Sequence, residues 1–135
     1  MRKIKQREQK AKGRIKAPAT SSTNDLNPVF CLHYLDSHYG LRNCEGTEKI
    51  AFAHKLHELS QMTWQQIIFA NKYKLGSELI PARKIKGRIP PEFSSVVEFI
   101  AVRFDGLKPM VGERTNRVFH IIWLDRDFTL YDHRS

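Results

Sequence analysis

The sequence predicts an α+β domain in which one strand and two helices are followed by an antiparallel β-meander of about four strands. Two observations predict this fold class. Apolar residues recur at helical spacing between residues 47 and 75, whereas from residue 96 onward they mostly alternate with period two and are interrupted by turn residues. A chain of 135 residues suits a single core. We therefore expect a disordered basic arm at 1–27 and one domain at 28–135.

The net charge of +9 is concentrated at the N-terminus. Residues 1–16 hold eight Lys or Arg against Glu8 alone, a net +7, which leaves +2 for the rest of the chain. Affinity for polyanions that rests on gross charge therefore belongs largely to the arm. The arm lacks the apolar region of a secretory signal, and no stretch approaches the roughly 20 apolar residues of a transmembrane helix. Two cysteines are too few for a disulfide scaffold. Taken together, these features predict a cytoplasmic protein with no membrane partner.

The first strand and the first helix follow the arm. Val29 to Leu35 is a short apolar run bounded by Pro28 and by Asp36, which is typical of a strand. Thr47 is expected to cap the next helix, with Glu48 in its first turn. The buried face of this helix is predicted from three apolar residues at helical spacing, Phe52, Leu56 and Leu59.

The second helix has the sharper start signal. Thr63 and Gln66 have the spacing of a capping box, and Met62 and Ile67 occupy the positions of a hydrophobic staple. The helix is expected to end before Gly76. Its predicted buried residues are Trp64, Ile67 and Ile68. Residues 59–67 also suit the turn of a helix-turn-helix DNA binder, although few side chains beyond Gln65, Asn71 and Lys72 would then be free to read bases.

The meander is predicted from alternation and turn signals. A basic loop at 83–88 lies between Pro81 and Pro91, and Val96 to Phe104 then reads as a strand that ends at the hairpin signal Asp105-Gly106. Pro109 confines the returning strand to a sheet edge or to a bulge. The strand at 117–124 is apolar on both faces and is expected to be central. A last strand would place Thr129, Tyr131 and His133 on one face.

The order of elements resembles the RelE/ParE superfamily of bacterial toxins, in which a strand and two packed helices precede an antiparallel meander. The likeness in sequence is best over Gly112 to Ile122, where an arginine precedes an aromatic and β-branched run, and over Leu130 to His133, where members place a His or Tyr. It covers residues 28–134 in architecture and about 25 residues in detail.

The resemblance implies a toxin that cleaves messenger RNA, usually on the ribosome, and that an antitoxin protein neutralises. The reaction needs no metal or cofactor, because a ribose 2′-hydroxyl attacks the adjacent phosphate. Carried over to this chain, Arg117 and Arg114 would hold the phosphate, and Tyr131 or His133 would transfer the proton. A ParE-like member would instead bind a topoisomerase and cleave nothing.

A phosphate-binding surface is a further hypothesis. Seven basic residues would have to converge on one side of the sheet, with RNA or the ribosome as the partner. Two of them are Arg114 and Arg117. The other five are Arg83, Lys84, Lys86, Arg88 and Arg103.

Other chemistries find little support in the sequence. His54 and His57 lie three apart on the first helix without a His-Glu-x-x-His pattern, so a solvated helix face is the simpler interpretation. His120 is more typical of a core histidine than of a catalyst, and Cys31 of a buried thiol. No phosphate-binding glycine loop, Gly-x-Ser-x-Gly turn or paired zinc cysteines are present. A non-catalytic module that binds nucleic acid or protein stays open as the alternative.

Overall fold

The computed structural model describes residues 23–70 and 77–133. Most of the predicted arm at 1–27 lies outside these residues, but 23–27 are ordered and begin with a 3-10 turn at Thr23–Asp25. Two α-helices follow the first strand, α1 at Gly46–Ser60 and α2 at Trp64–Ala70. The strands are β1 at Val29–Cys31, β2 at Ser77–Pro81, β3 at Glu98–Asp105, β4 at Lys108–Thr115 and β5 at Val118–Leu124. The fold class is α+β, as predicted.

The five strands form one mixed sheet in the order β1-β5-β4-β3-β2. Strands β2 to β5 form an antiparallel meander, and β1 pairs in parallel with β5, with Val29 opposite Val118. The expectation that the apolar strand at 117–124 is central is confirmed, since β5 lies between β1 and β4. Within the described part of the chain, no helix is both long and apolar enough to cross a bilayer.

Each side of the sheet has its own apolar cluster. The helix face is covered by α1 and α2, whose Phe52, Leu59, Trp64 and Ile67 pack against sheet residues such as Phe119. Among the described residues, no α-helix covers the loop face. Its core is completed by side chains from the loops at 32–40 and 82–97 and from residues 125–133, namely Tyr34, Tyr39, Ala82, Ile85, Ile89, Phe93, Val96, Leu130 and Tyr131.

The helix starts test the capping predictions. In α2, Thr63 Oγ1 accepts from the Gln66 N–H at 3.2 Å and Gln66 Oε1 accepts from the Thr63 N–H at 2.9 Å, which confirms the capping box. In α1 the predicted cap at Thr47 is wrong. Glu48 Oε1 accepts from the Glu45 N–H at 2.7 Å, so Glu45 is the N-cap and the helix begins at Gly46.

The predicted hairpin is present. Gly106, with φ of 59°, occupies the left-handed conformation that the turn between β3 and β4 requires. Strand β4 is interior, so Pro109 was not confined to an edge. It instead pairs with Arg103 beside a register shift between Arg103 and Asp105, as the bulge alternative predicted.

Five points about elements and burial need correction. The first strand ends at Cys31, because Leu35 N–H turns back to Leu32 O at 3.1 Å. Ile68 is exposed, and Cys31 is only partly buried. Strand β2 was missed, and its alternation puts Ile80 in the core while Leu79 is exposed. Residues 125–133 form no strand, because they turn across the loop face and bond to side chains and to another loop.

Candidate functional site

Asp125 organises the segment that follows β5. Its side chain is fully buried, and its carboxylate accepts from the Thr129 N–H at 2.9 Å and from the Leu130 N–H at 3.1 Å. The remaining oxygen, Oδ2, lies 2.8 Å from His133 Nε2. A carboxylate can only accept, so Nε2 carries the hydrogen and Nδ1 of a neutral imidazole is left to accept a proton.

Tyr131 contacts the His133 ring. Its ring stacks on the His133 imidazole with centroids 4.0 Å apart and an interplanar angle of 22°. The Glu78 carboxylate on β2 lines the same pocket and acts on the phenol. Burial, together with the nearby carboxylates of Glu78 and Asp125, raises the pKa of Tyr131 well above its usual range. Tyr131 is therefore a protonated donor at neutral pH and cannot serve as a base there.

The basic loop at 83–88 is attached to the same segment. The Lys86 N–H donates to Leu130 O at 2.7 Å, and Gly87 packs closely against Leu130 and Trp123. The loop has four exposed basic side chains, Arg83, Lys84, Lys86 and Arg88. Arg103 follows Ala101 on the loop face of β3, and its charge acts on the Tyr131 phenol.

An open pocket of about 200 Å³ lies between β2, Lys84 of the basic loop and residues 131–133. Five of the pocket residues carry ionisable side chains: Glu78, Lys84, Tyr131, Asp132 and His133. The His133 side chain is 23% exposed, so the imidazole is reachable while Asp125 behind it is not. The pocket thus combines an oriented imidazole, a protonated phenol, two exposed carboxylates and a cation, which together can move protons around an anionic group.

Arg114 and Arg117 lie elsewhere. Arg114 pairs with Phe119 on the helix face and packs over the Trp64 ring at 4.3 Å, with Nη2 bonded to Asn24 Oδ1 at 2.6 Å. Burial lowers its pKa. Arg117 lies at the β4–β5 turn, and its Nε donates to Asn27 O at 3.0 Å.

The predicted convergence of seven basic residues is therefore wrong for this pair. Arg117 and Asp125 flank the seven residues of β5, and at about 3.3 Å per residue their Cα atoms are roughly 25 Å apart. His133 is bonded to Asp125, so one phosphate cannot reach both Arg117 and His133. Of the five other basic residues, Lys84 borders the same pocket as Tyr131 and His133, and the charge of Arg103 acts on the Tyr131 phenol.

The remaining histidines are accounted for structurally. His54 and His57 are exposed on α1, as the solvated-face interpretation expected. His120 is half-buried between the Tyr34 and Phe93 rings, at 5.7 and 5.5 Å, and its Nδ1 has no hydrogen-bond partner among the described residues. In residues 23–70 and 77–133, no group of three His, Cys, Asp or Glu side chains is placed to hold a metal ion.

Two site residues were missed by the sequence analysis. Asp125 directly follows an apolar central strand, and a carboxylate at the end of such a strand is a usable signal for a functional residue. Glu78 lies on β2, the strand that was not predicted, and no local pattern marks it. Comparison of the chain with protein families, with curated proteins and with solved structures finds no match.

Proposed function

We propose that this protein is an endoribonuclease that cleaves RNA without a metal, with its active site in the pocket bordered by Glu78, Lys84, Tyr131 and His133. The observation that carries the proposal is the Asp125–His133 pair, stacked on Tyr131 at the edge of a basic loop. A buried carboxylate that fixes a reachable imidazole in one tautomer is the arrangement that general acid–base catalysis needs. Exposed cations beside it suit a phosphate substrate.

The reaction is an internal transfer at phosphorus. A base takes the proton of a ribose 2′-hydroxyl, the 2′-oxygen forms a bond to the adjacent phosphorus, and the bond to the 5′-oxygen breaks as that oxygen gains a proton. The products are a 2′,3′-cyclic phosphate and a 5′-hydroxyl. Neither water nor a redox partner is consumed.

The residues divide these tasks. His133 accepts or returns the proton at Nδ1, because Asp125 holds Nε2. Glu78 is exposed and is the second proton carrier, in the same pocket as the Tyr131 phenol. Lys84 and Arg103 counter the negative charge that builds up on the phosphate oxygens. In this proposal Arg114 and Arg117 are structural residues of the helix face and the β4–β5 turn.

The biological setting proposed is that of a RelE-like toxin, which acts on messenger RNA at the ribosome and is neutralised by an antitoxin. Support comes from the order of elements, a strand and two helices before an antiparallel meander. The alternative is a non-catalytic binding module. Its helix-turn-helix form is disfavoured, because Trp64 and Ile67 of α2 are buried in the core and are not free to enter a DNA groove.

Inducible expression of matched variants tests the proposal. Wild-type protein is expected to arrest growth, and the purified protein to cleave RNA with or without added ribosomes, leaving 2′,3′-cyclic phosphate ends. His133→Gln and Lys84→Gln should each lower cleavage by 10²-fold or more and relieve the arrest. Arg117→Gln, at the far end of β5, is the matched control and should retain cleavage.

Two outcomes would count against the proposal. Absence of RNA cleavage by folded wild-type protein, with and without ribosomes, would leave the binding-module alternative. Loss of cleavage in Arg117→Gln with retention in His133→Gln would place the reaction at the β4–β5 turn and not in the pocket. Circular dichroism of each variant checks that the fold is kept.

A further inference from the structure

Phe128 is an aromatic residue in a backbone conformation that aromatic residues rarely adopt. It lies in the turn after β5 with φ of 60°, in the left-handed region. Any residue with a Cβ is disfavoured there, and glycine or asparagine adopts this conformation more readily. Strain of this kind persists where the surrounding structure imposes it, and it concentrates at functional sites.

Asp125 holds the backbone directly after Phe128. The next two residues after Phe128, Thr129 and Leu130, both donate their N–H groups to Asp125 Oδ1. The same carboxylate holds His133 through Oδ2. One buried group therefore holds both the backbone next to Phe128 and the imidazole of His133.

Two aromatic rings contact the His133 imidazole, and they differ in exposure. Tyr131 stacks on it at 4.0 Å but is 4% exposed, so it belongs to the core. Phe128 meets it edge to face, with centroids 5.2 Å apart at 89°, and is 40% exposed. Of this pair, Phe128 is the ring that a bound molecule can reach.

We infer that Phe128 is a stacking surface for a nucleobase of single-stranded RNA, beside the phosphate that His133 serves. Every base presents a flat π-face, and proteins that bind single strands combine aromatic stacking with a basic surface that follows the backbone. Here the basic surface is the loop at 83–88, which is bonded to the segment that carries Phe128. The inference deepens the proposed function and rests on it, since it names the single-stranded RNA base as the group recognised.

Binding of an RNA that cannot react tests this role separately from catalysis. The probe is a fluorescein-labelled 12-nucleotide RNA with 2′-O-methyl groups throughout, so that no nucleophile is present, and binding is followed by fluorescence anisotropy. Phe128→Asn keeps the left-handed backbone without the ring and should weaken binding roughly tenfold. Phe128→Trp should bind as tightly as wild type or more tightly. Phe69→Asn, at another exposed phenylalanine on α2, should have no effect.

An abasic position, moved along the probe, separates stacking from an effect through His133. When the abasic site occupies the position that stacks on Phe128, wild type should bind the abasic probe as weakly as Phe128→Asn binds the intact probe. Phe128→Asn should bind that abasic probe and the intact probe with equal affinity. Equal losses on intact and abasic probes would overturn the inference and make Phe128 a positioning residue for His133. Unchanged binding by Phe128→Asn, or no binding of the probe by wild type, would also overturn it.

The two proposals fail in different ways. If wild type cleaves unmodified RNA but Phe128→Asn binds and cleaves normally, the stacking inference falls and the proposed function stands. If binding depends on Phe128 but unmodified RNA is not cleaved, the stacking surface stands and the catalytic proposal falls.

Discussion

Asp125 shows at the scale of a single residue how one buried carboxylate organises a site. A buried charge is costly unless its hydrogen bonds are satisfied, and here two backbone N–H groups and one imidazole meet that demand. The same bonds hold His133 and the backbone next to Phe128. The sequence marks Asp125 only as the polar residue after Leu124, because all three of its partners come from the chain beyond it.

Glu48 is the second buried carboxylate, and its role is structural. It caps α1 through the Glu45 N–H and also accepts from Lys108 Nζ at 2.7 Å and from Arg126 Nε at 2.8 Å. The Arg126 hydrogen bond is the main reason that its pKa is lowered to about 2, with the Lys108 bond adding to it and burial opposing both. Glu48 thus joins the start of α1 to the β3–β4 hairpin and to the turn after β5.

Glu48→Gln should remove a stability contribution that depends on pH. The folded pKa lies below the ordinary value of 4.5, so the contribution is fully present above pH 4.5 and is lost as pH falls towards 2. The shift corresponds to roughly 3 kcal/mol. Urea unfolding should show that loss in Glu48→Gln at pH 7 and a difference near zero close to pH 2. Glu58→Gln, whose carboxylate is half exposed, should change stability by about 0.5 kcal/mol or less. A constant difference across this pH range would contradict the assignment.

At the scale of elements, the meander has the predicted number of strands but begins one strand earlier. Val96 to Phe104 and the Asp105-Gly106 turn were predictable, because alternation and turn chemistry are local signals. Strand β2 was not, since it is a short edge strand in which only Ile80 is shown to be buried. Residues 129–133 alternate like a strand, yet Asp125 captures the N–H groups that a ladder would need.

Gly87 fixes how closely the basic loop approaches the site. A Cβ at this position would lie 2.9 Å from Leu130 Cδ1 and 3.1 Å from Trp123 Nε1, and both of those side chains are fully buried. Gly87→Ala should therefore push the loop outward, cost about 1–3 kcal/mol in urea unfolding and slow RNA cleavage several-fold.

The matched control is Gly46→Ala, because nothing lies within 4 Å of a Cβ added at Gly46. It should leave cleavage unchanged and alter stability by about 0.5 kcal/mol or less in the stabilising direction. Equal behaviour of the two variants would mean that the loop is not held in place by its contact with Leu130 and Trp123.

At the scale of the whole molecule, the helix packing and the candidate site lie on opposite faces of the sheet. The helix face buries α1 and α2 against one side, and Arg114 over Trp64 belongs to that packing. The loop face carries the pocket, the basic loop and Phe128. Most of the net charge lies in the N-terminal part of the sequence, since residues 1–16 hold +7 of the total +9.

Removing residues 1–22 tests what that charge contributes. The deletion should reduce the slope of log binding constant against log salt for single-stranded RNA by about 0.7 for each phosphate contact that the arm makes. Cleavage chemistry at saturating RNA should be unaffected. Lys84→Gln, which removes one charge at the pocket, should change the slope by about 0.7 at most while lowering cleavage. An unchanged slope after the deletion would mean that the arm makes no contact with RNA.

By itself the sequence determined the elements whose causes are local: the capping box of Thr63 and Gln66, the turn at Gly106, and the central position of β5, which is apolar on both faces. It also drew attention to Tyr131 and His133. Only the tertiary structure decided which residues these meet. Arg117 is close to them in sequence but is separated by the length of an extended strand, whereas Glu78 and Lys84 are distant in sequence and adjacent in space. Backbone periodicity is set by near neighbours, but a site is assembled by chain reversals that bring distant residues together, and those depend on the packing of the whole sheet.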